Sequence, residues 1–81
     1  MTRDVLLFAS AREAAGADRV SVELPDDATA GLLLERLAEA APTLRAMSSG
    51  LLVSDAQRYV RRDERLSRDG ELAVFPPVAG G

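Results

Sequence analysis

The fold of this chain is decided by ELAVFPPVAGG, residues 71–81, at the end of the sequence. Residues 71–75 are almost continuously apolar, which is typical of a strand covered on both faces of a sheet. Pro76 follows directly, and because proline has no N–H to donate to a ladder, it ends a central strand. The pattern predicts a domain over residues 1–75, with its last strand anchored in the core, and an extended, flexible C-terminal tail over residues 76–81.

A second apolar run, VLLFA at residues 5–9, lies near the start of the chain. Its unbroken character also predicts a central strand. Ser10 is placed to cap a short helical segment over residues 11–15, and Gly16 is placed to end that segment in a left-handed conformation.

The next stretch predicts a half-buried strand followed by the main helix. Residues 19–24 alternate strictly between apolar and polar side chains, as a half-buried strand does. The helix begins at a cap supplied by Thr29 or Asp27 and is stopped by Pro42. We expect Leu32 to be exposed among the charged residues of this helix. The apolar residues at helical spacing are Leu33, Leu34, Leu37, Ala38 and Ala41.

The remaining segments are shorter. Residues 43–50 are expected to form a connection with a helical turn, residues 51–53 a third strand and residues 55–57 a turn. A fourth strand at residues 58–60 is expected at a sheet edge. The charges of residues 58–69 alternate in sign, which indicates a solvated rim rather than a binding patch.

The order of these elements predicts an α+β fold. The first and last strands are the most apolar, so we expect them side by side at the centre of a mixed sheet of four to five strands. One main helix is available to pack on one face of the sheet. This is the β-grasp arrangement.

Composition excludes several classes of function. The chain has 81 residues, enough for a single domain, and a net charge of −3, which disfavours nucleic-acid binding. It contains no Cys and no His, and all 10 of its basic residues are Arg, so thiolate, imidazole and lysine chemistry are absent. We expect no bound metal. No signal peptide or membrane-spanning stretch is visible, which predicts a cytoplasmic protein.

The remaining reactive group is the α-carboxylate of Gly81. Two consecutive terminal glycines occur by chance in about 0.5% of chains at average glycine usage. The preceding Pro76 and Pro77 stiffen the segment toward an extended polyproline conformation. Glycine at both Gly80 and Gly81 lets the backbone pass through a narrow channel. We therefore predict that the Gly81 carboxylate is the functional site.

Two stretches resemble the small, sulfur-carrying subunit family of molybdopterin synthase, which has a ubiquitin-like β-grasp fold. Phe8, Ala9, Arg12, Glu13 and Gly16 match the family pattern F-A-x-x-R-E-x-x-G. Residues 66–81 resemble the family's ending, in which an Asp-Gly turn and an apolar strand precede Pro-Pro-Val-x-Gly-Gly. The resemblance spans the chain, with one departure: the family commonly has Asn within the segment occupied here by residues 54–58, and this chain has none.

The resemblance implies a role as a subunit of a sulfur-transferring synthase and not as a catalyst alone. A ubiquitin-activating-type adenylating enzyme would use ATP and magnesium to form an acyl-adenylate at Gly81, and a sulfur donor protein would convert it to a thiocarboxylate. The thiocarboxylate would then donate sulfur to the pterin precursor in the large synthase subunit, within a heterotetramer of two small and two large subunits. No cofactor is expected to stay bound. The residues expected to contact the partner are Phe75, Pro76, Pro77, Val78, Ala79, Gly80 and Gly81.

Three alternatives remain open from the sequence. The chain could carry sulfur for thiamine or another thio-cofactor, since such carriers share the Gly-Gly end. It could be a ubiquitin-like modifier attached to protein lysines. The third alternative is a β-grasp interaction domain with an inert tail.

Overall fold

The computed structural model describes residues 1–77. Five strands, two α-helices and one 3₁₀ helix make up this part of the chain. In order they are β1 (Thr2–Leu7), α1 (Ala9–Ala15), β2 (Arg19–Glu23), α2 (Ala30–Ala40), the 3₁₀ helix (Pro42–Gly50), β3 (Leu52–Asp55), β4 (Arg58–Val60) and β5 (Leu72–Phe75).

The strands form one mixed sheet in the order β2-β1-β5-β3-β4. β1 and β5 pair in parallel, with Leu6 opposite Ala73, whereas the other neighbouring strands are antiparallel. The prediction that the first and last strands lie side by side in a mixed sheet is confirmed. β5 occupies the central position, with β1 on one side and β3 on the other.

Leu and Val side chains build the core between α2 and one face of the sheet. The largest fully buried side chains are Leu7, Leu33, Leu37, Leu44, Leu72, Val5 and Val74. Each contributes roughly 1.5–3 kcal/mol relative to leaving it in water. The expected exposure of Leu32 is wrong, because this side chain is half-buried against the core. α2 packs against both β2 and the 3₁₀ helix, so more of its circumference is buried than packing against a sheet alone would bury.

The ends of α1 differ in how well the sequence predicts them. The helix begins at Ala9, with φ of 53°, and Phe8 is the cap residue without a side-chain hydrogen bond. The predicted cap at Ser10 is therefore wrong, since β1 ends at Leu7 and the chain turns early enough to place Ser10 inside the first turn. The predicted stop at Gly16 is confirmed: its φ is 73° and its N–H donates to the Arg12 carbonyl.

Thr29, one of the two candidate caps, starts α2. Its hydroxyl accepts a hydrogen bond from the Leu32 N–H at 3.2 Å. The first two N–H groups of the helix donate to loop carbonyls. The Ala30 N–H donates to the Glu64 carbonyl at 3.0 Å, and the Gly31 N–H donates to the Arg62 carbonyl at 2.9 Å. The first turn of α2 is thus closed by protein groups, which satisfies donors that a helix start otherwise leaves unpaired.

The hairpin from β3 to β4 places β4 at the sheet edge, as predicted. The third strand is Leu52–Asp55, one residue later at its start and two later at its end than expected. The connecting residues Ala56 and Gln57 have φ of 52° and 67°. Positive φ at two successive residues is the geometry of the type I′ turn that joins tightly paired strands. Within residues 1–77, no helix has both the length and the apolar character needed to cross a membrane.

Candidate functional site

β5 holds the C-terminal end of the chain through two side chains on the helix-covered face of the sheet. Leu72 is 1% exposed and Val74 is 0% exposed. Since side chains alternate along a strand, Ala73 and Phe75 point to the opposite face. Phe75 is half-buried there. The strand is anchored by Leu72 and Val74, and its last side chain lies outside the α2 core.

The loop that leads into β5 is held by a buried carboxylate. Asp55 is 5% exposed and accepts hydrogen bonds from the Ser67 N–H and hydroxyl, both at 2.6 Å. The Ser67 hydroxyl also accepts from the Gly70 N–H. The Arg3 guanidinium donates to the carbonyls of Ser67 at 2.7 Å and Gly70 at 2.8 Å. These bonds determine where β5 begins, immediately after Gly70 and Glu71.

Gly70 is required in this loop for space. A Cβ at Gly70 would collide with Asp55 Oδ1 and Ser67 Oγ, and it would lie 3.2 Å from the Ala56 Cβ. The hydrogen-bonded loop is therefore packed against the turn between β3 and β4. This contact joins the start of β5 to the edge of the sheet that carries Tyr59.

The aromatic side chains of the chain are gathered in one place. Two Phe and one Tyr are the complete aromatic supply. Phe8 and Phe75 stack with ring centroids 4.8 Å apart, and Tyr59 meets Phe75 edge-on at 5.9 Å. Leu52, opposite Phe75 in the ladder, lies beside them. We call Phe8, Leu52, Tyr59 and Phe75 the aromatic patch.

The aromatic patch is open to solvent. Phe8 is 39% exposed, Leu52 is 38% exposed and Tyr59 is 62% exposed. A groove of about 250 Å³ runs along the patch, with Phe8, Tyr59 and Phe75 in its lining. This volume is below the range of roughly 300–1,000 Å³ that is usual for small-molecule sites. Large apolar side chains clustered on a surface mark a protein interaction site.

Two structural features place the patch where the chain leaves the sheet. Phe8 follows β1 directly, and its N–H donates to the Val74 carbonyl at 3.3 Å. Because β1 and β5 are parallel, their last residues meet at the same end of the sheet. Phe75 ends β5 at that point, and Pro76 and Pro77 continue from it.

Some of the predicted partner-contacting residues lie within the described residues 1–77, and the others lie outside them. Phe75 and Pro76 are half-buried and Pro77 is exposed. Val78, Ala79, Gly80 and Gly81 lie outside the described residues. The role of the Gly81 carboxylate therefore stays a prediction, as does the division into a domain over residues 1–75 and a tail over residues 76–81.

Two carboxylates have displaced pKa values, and neither belongs to the aromatic patch. A hydrogen bond from the Thr2 hydroxyl lowers the pKa of Glu23, with help from the Met1 ammonium group. A hydrogen bond from the Arg61 N–H lowers the pKa of Glu64, with help from Arg58. Lowered values favour the charged form and do not suit a general acid or base that must titrate near neutrality. Residues 1–77 contain no cluster of acidic side chains able to hold a metal ion.

Phe8 and Tyr59 were not predicted as partner-contacting residues. The sequence signal that would have found them is the parity of the strands: Phe75 is one residue after Val74, and Tyr59 is one before Val60, so both aromatic rings point away from the core. Phe8 forms part of the resemblance motif, but no partner-contacting role follows from the motif alone.

The sequence profile that describes the ThiS family matches residues 5–81. The chain belongs to the ThiS family. The matched range contains both the aromatic patch and the Gly-Gly end of this ThiS family member.

Two curated relatives of this ThiS family member have the same name. The molybdopterin synthase sulfur carrier subunit of Dictyostelium discoideum is 32% identical over 80 residues, which cover 95% of this chain and 93% of that protein. The protein of the same name in Chlamydomonas reinhardtii is 38% identical over 79 residues, covering 95% of each chain. The family resemblance drawn from the sequence motifs is confirmed.

Solved structures confirm the β-grasp prediction. The small archaeal modifier protein 1 of Haloferax volcanii has a TM-score of 0.83 at 30% identity, covering 95% of this chain and 98% of that chain. The small archaeal modifier protein 1 of Methanosarcina acetivorans has a TM-score of 0.75 at 21% identity, covering 99% of this chain and 96% of that chain. At that level of identity the second likeness concerns the fold alone.

Proposed function

We propose that this chain is the sulfur-carrier subunit of a molybdopterin synthase and acts in molybdenum cofactor biosynthesis. One observation carries the proposal: the segment that ends in Gly80 and Gly81 leaves the central strand β5 beside the exposed aromatic patch, which contains every aromatic residue of the chain. The names of the curated relatives support the same function.

The chemistry takes place at the Gly81 carboxylate. A carboxylate is ionised at neutral pH and resists nucleophilic attack, so it must be activated first. A ubiquitin-activating-type enzyme transfers AMP from ATP to a Gly81 oxygen and releases pyrophosphate; the ATP and magnesium belong to that enzyme. The terminal sulfur of a persulfide on a donor protein then displaces AMP and forms an acyl disulfide. A second thiol reduces the S–S bond, so that the donor leaves as a disulfide with that thiol and Gly81 keeps the sulfur as a C-terminal thiocarboxylate. Its sulfur is the nucleophile that attacks the pterin precursor, and two such deliveries complete the dithiolene.

The folded part of the chain supplies docking and orientation. The aromatic patch presents Phe8, Tyr59 and Phe75 to the large synthase subunit at the point from which the C-terminal segment must enter that subunit's active site. Six residues from Pro76 to Gly81 reach at most roughly 20 Å when fully extended. The stiff Pro76-Pro77 pair lowers the ordering cost of insertion. A heterotetramer of two small and two large subunits is the assembly we propose.

A second candidate is a ubiquitin-like protein modifier. The observation that favours it is the likeness to the small archaeal modifier protein 1, at a TM-score of 0.83. All 10 basic residues here are Arg, so copies of this protein cannot be linked to one another through lysine side chains. Single attachments to other proteins remain compatible with the Gly-Gly end. Carriage of sulfur to thiamine or another thio-cofactor is the third candidate and shares the same activation chemistry.

Intact-mass measurement tests the proposal. The purified chain is incubated with an adenylating enzyme, ATP, magnesium, a persulfide donor and a thiol reductant, and then with the large subunit and the pterin precursor. We expect a mass gain of one sulfur-for-oxygen exchange at Gly81, its loss on addition of the large subunit, and formation of molybdopterin. A variant with one Ala added after Gly81 is the matched control and is expected to fold normally but to form none.

The outcomes separate the candidates. Molybdopterin formation by the extended variant would contradict the mechanism. Isopeptide conjugates on cellular lysines without any thiocarboxylate would favour the modifier. A thiocarboxylate that is consumed in thiazole synthesis but not by the large subunit would favour carriage to thiamine.

A further inference from the structure

The segment that leaves β5 passes over Gly50, the last residue of the 3₁₀ helix. Leu52 faces Phe75 in the antiparallel β3–β5 ladder. Continuing this register by two residues in each strand sets Gly50 opposite Pro77. The distances agree, since a Cβ built on Gly50 would lie 3.2 Å from Pro77 Cγ and 3.6 Å from Pro77 Cδ. Pro77 therefore continues the line of β5 beyond Leu52, the first residue of β3, and lies over Gly50, which has no side chain.

Backbone conformation does not explain the glycine at this position. Among the glycines of residues 1–77, Gly16 has a positive φ and Gly50 does not. Other residues can therefore adopt the backbone angles of Gly50 without strain. What Gly50 provides is room for Pro77, because carbon atoms at 3.2 Å are closer than the optimal separation of about 3.5–4.0 Å.

We propose that Gly50 is a positioning residue for sulfur delivery, one that sets the direction in which the C-terminal segment leaves the sheet by leaving space for Pro77. The inference rests on the proposed function, because direction matters only if the Gly81 carboxylate must reach a partner's active site. It adds to that function a residue outside both the aromatic patch and the C-terminal segment.

The proline ring makes the contact sensitive. Its closed ring fixes φ near −65°, so Pro77 cannot rotate a side chain away from a Cβ at position 50. Relief must come from movement of the Pro76-Pro77 backbone. The four residues beyond Pro77 span at most about 14 Å, so a shift at Pro77 redirects the path available to Gly81. A misplacement of about 1 Å at a reacting group can cost on the order of 100-fold in rate.

The experiment measures single-turnover sulfur transfer from chains that already carry the Gly81 thiocarboxylate, so that activation is bypassed. Gly50→Ala and Gly50→Val are each made with Pro77 and in a Pro77→Ala background. Ser49→Val is the matched control, because Ser49 is exposed on the same 3₁₀ helix and the substitution places the same valine side chain one residue away. Thermal unfolding of every variant reports whether the fold is kept.

We expect Gly50→Val to lower the maximal transfer rate by about tenfold with Pro77 present, the size of coupling seen between contacting residues. The half-saturating concentration of large subunit should change by less than about twofold, because the aromatic patch is intact. In the Pro77→Ala background the same substitution should cost less than about threefold, because the ring atoms that the introduced side chain meets are gone. Gly50→Ala should show a smaller effect of the same pattern.

Several results would overturn the inference. They are a Gly50→Val effect of equal size in both backgrounds, an effect of Ser49→Val as large as that of Gly50→Val, or no change in transfer rate. Proton cross-relaxation between the Gly50 Hα and the Pro77 ring is expected in the free wild-type chain, and its absence would also count against the contact. Failure of the wild-type thiocarboxylate to transfer sulfur at all would instead contradict the proposed function.

Discussion

The rings of Phe8 and Phe75 stack in parallel, with centroids 4.8 Å apart and an interplanar angle of 6°. Phe8 directly follows the first strand and Phe75 ends the last one. Parallel pairing of β1 and β5 brings these two residues to the same end of the sheet. The contact therefore exists only in the folded chain, and it lies where the C-terminal segment begins.

Replacing Phe75 by Ala is expected to weaken binding to the large subunit much more than it weakens the fold. Loss of a central aromatic side chain costs about 2 kcal/mol or more at an interface, which corresponds to about 30-fold in affinity. The ring is half-buried in the free chain. Its removal should therefore lower the free energy of unfolding by less than the roughly 3–5 kcal/mol of a buried Phe. Titration calorimetry and urea unfolding measure the two quantities.

Tyr59→Phe is the control for this prediction. It keeps the edge-on ring against Phe75 and removes only an exposed hydroxyl, so affinity for the large subunit should change by less than about threefold. Equal losses for Tyr59→Phe and Phe75→Ala would show that the patch does not bind through its rings.

Asp55→Ala is expected to lower the free energy of unfolding by about 1–3 kcal/mol, the cost of leaving buried hydrogen-bond donors unsatisfied. The donors are the Ser67 N–H and hydroxyl, which lose their acceptor. Asp63→Ala is the matched control, because Asp63 is 79% exposed and its pair with Arg61 is a surface ion pair. Such pairs contribute roughly 0–1 kcal/mol. Urea unfolding at neutral pH measures both, and equal effects would contradict the structural role of Asp55.

The double substitution Ala56→Asn and Gln57→Gly should stabilise the chain by roughly 0.5–1 kcal/mol, because Asn-Gly is the preferred pair for a type I′ turn and both positions have positive φ. The family that the sequence resembles commonly has Asn in this segment, and this chain does not. Gln57→Val is expected to do the opposite and cost about 1 kcal/mol or more, because a β-branched residue tolerates positive φ poorly. Thermal unfolding midpoints that do not move in opposite directions would contradict the turn assignment.

Glu64 makes stability depend on pH in the acidic range. The Arg61 N–H lowers its pKa below the ordinary value of 4.5, and Arg58 adds to the effect. A carboxyl whose pKa is lower in the folded chain binds protons more weakly there than in the unfolded chain. Its stabilising contribution is therefore complete above 4.5 and is lost as the pH falls through the folded value. The difference in free energy of unfolding between wild type and Glu64→Gln should therefore disappear as the pH falls from 4.5 through the lower pKa of the folded chain.

This pH dependence is measured by urea unfolding of both proteins from neutral pH into the acidic range. Raised salt should reduce the pH dependence that comes from the Arg58 ion pair, since an exposed ion pair is screened by ions. It should leave most of the pH dependence that comes from the hydrogen bond of the Arg61 backbone N–H. A wild-type advantage that grows on acidification would contradict the assignment.

The elements predicted from the sequence were those that local patterns specify. Strict alternation over residues 19–24 and helical spacing of Leu33, Leu34 and Leu37 depend on neighbours in the chain, and the strand and helix appear there. The errors at Ser10 and Leu32 have a different origin. Whether Ser10 caps α1 depends on where β1 ends, and the burial of Leu32 depends on how the hydrophobic core packs around α2. Neither the cap of α1 nor the burial of Leu32 can be predicted from the few residues that are neighbours in sequence.

By itself the sequence determined the β-grasp order of elements, a core of Leu and Val, and a Gly-Gly end with no Cys, His or Lys to compete with it for chemistry. Those properties follow from composition and short-range periodicity. Only the tertiary structure decided that Phe8 and Phe75 stack, that Asp55 holds Ser67, and that Pro77 passes over Gly50. Each of these contacts joins residues far apart in the chain, so each depends on the register in which β5 enters the sheet, and that register is set by packing of the whole domain.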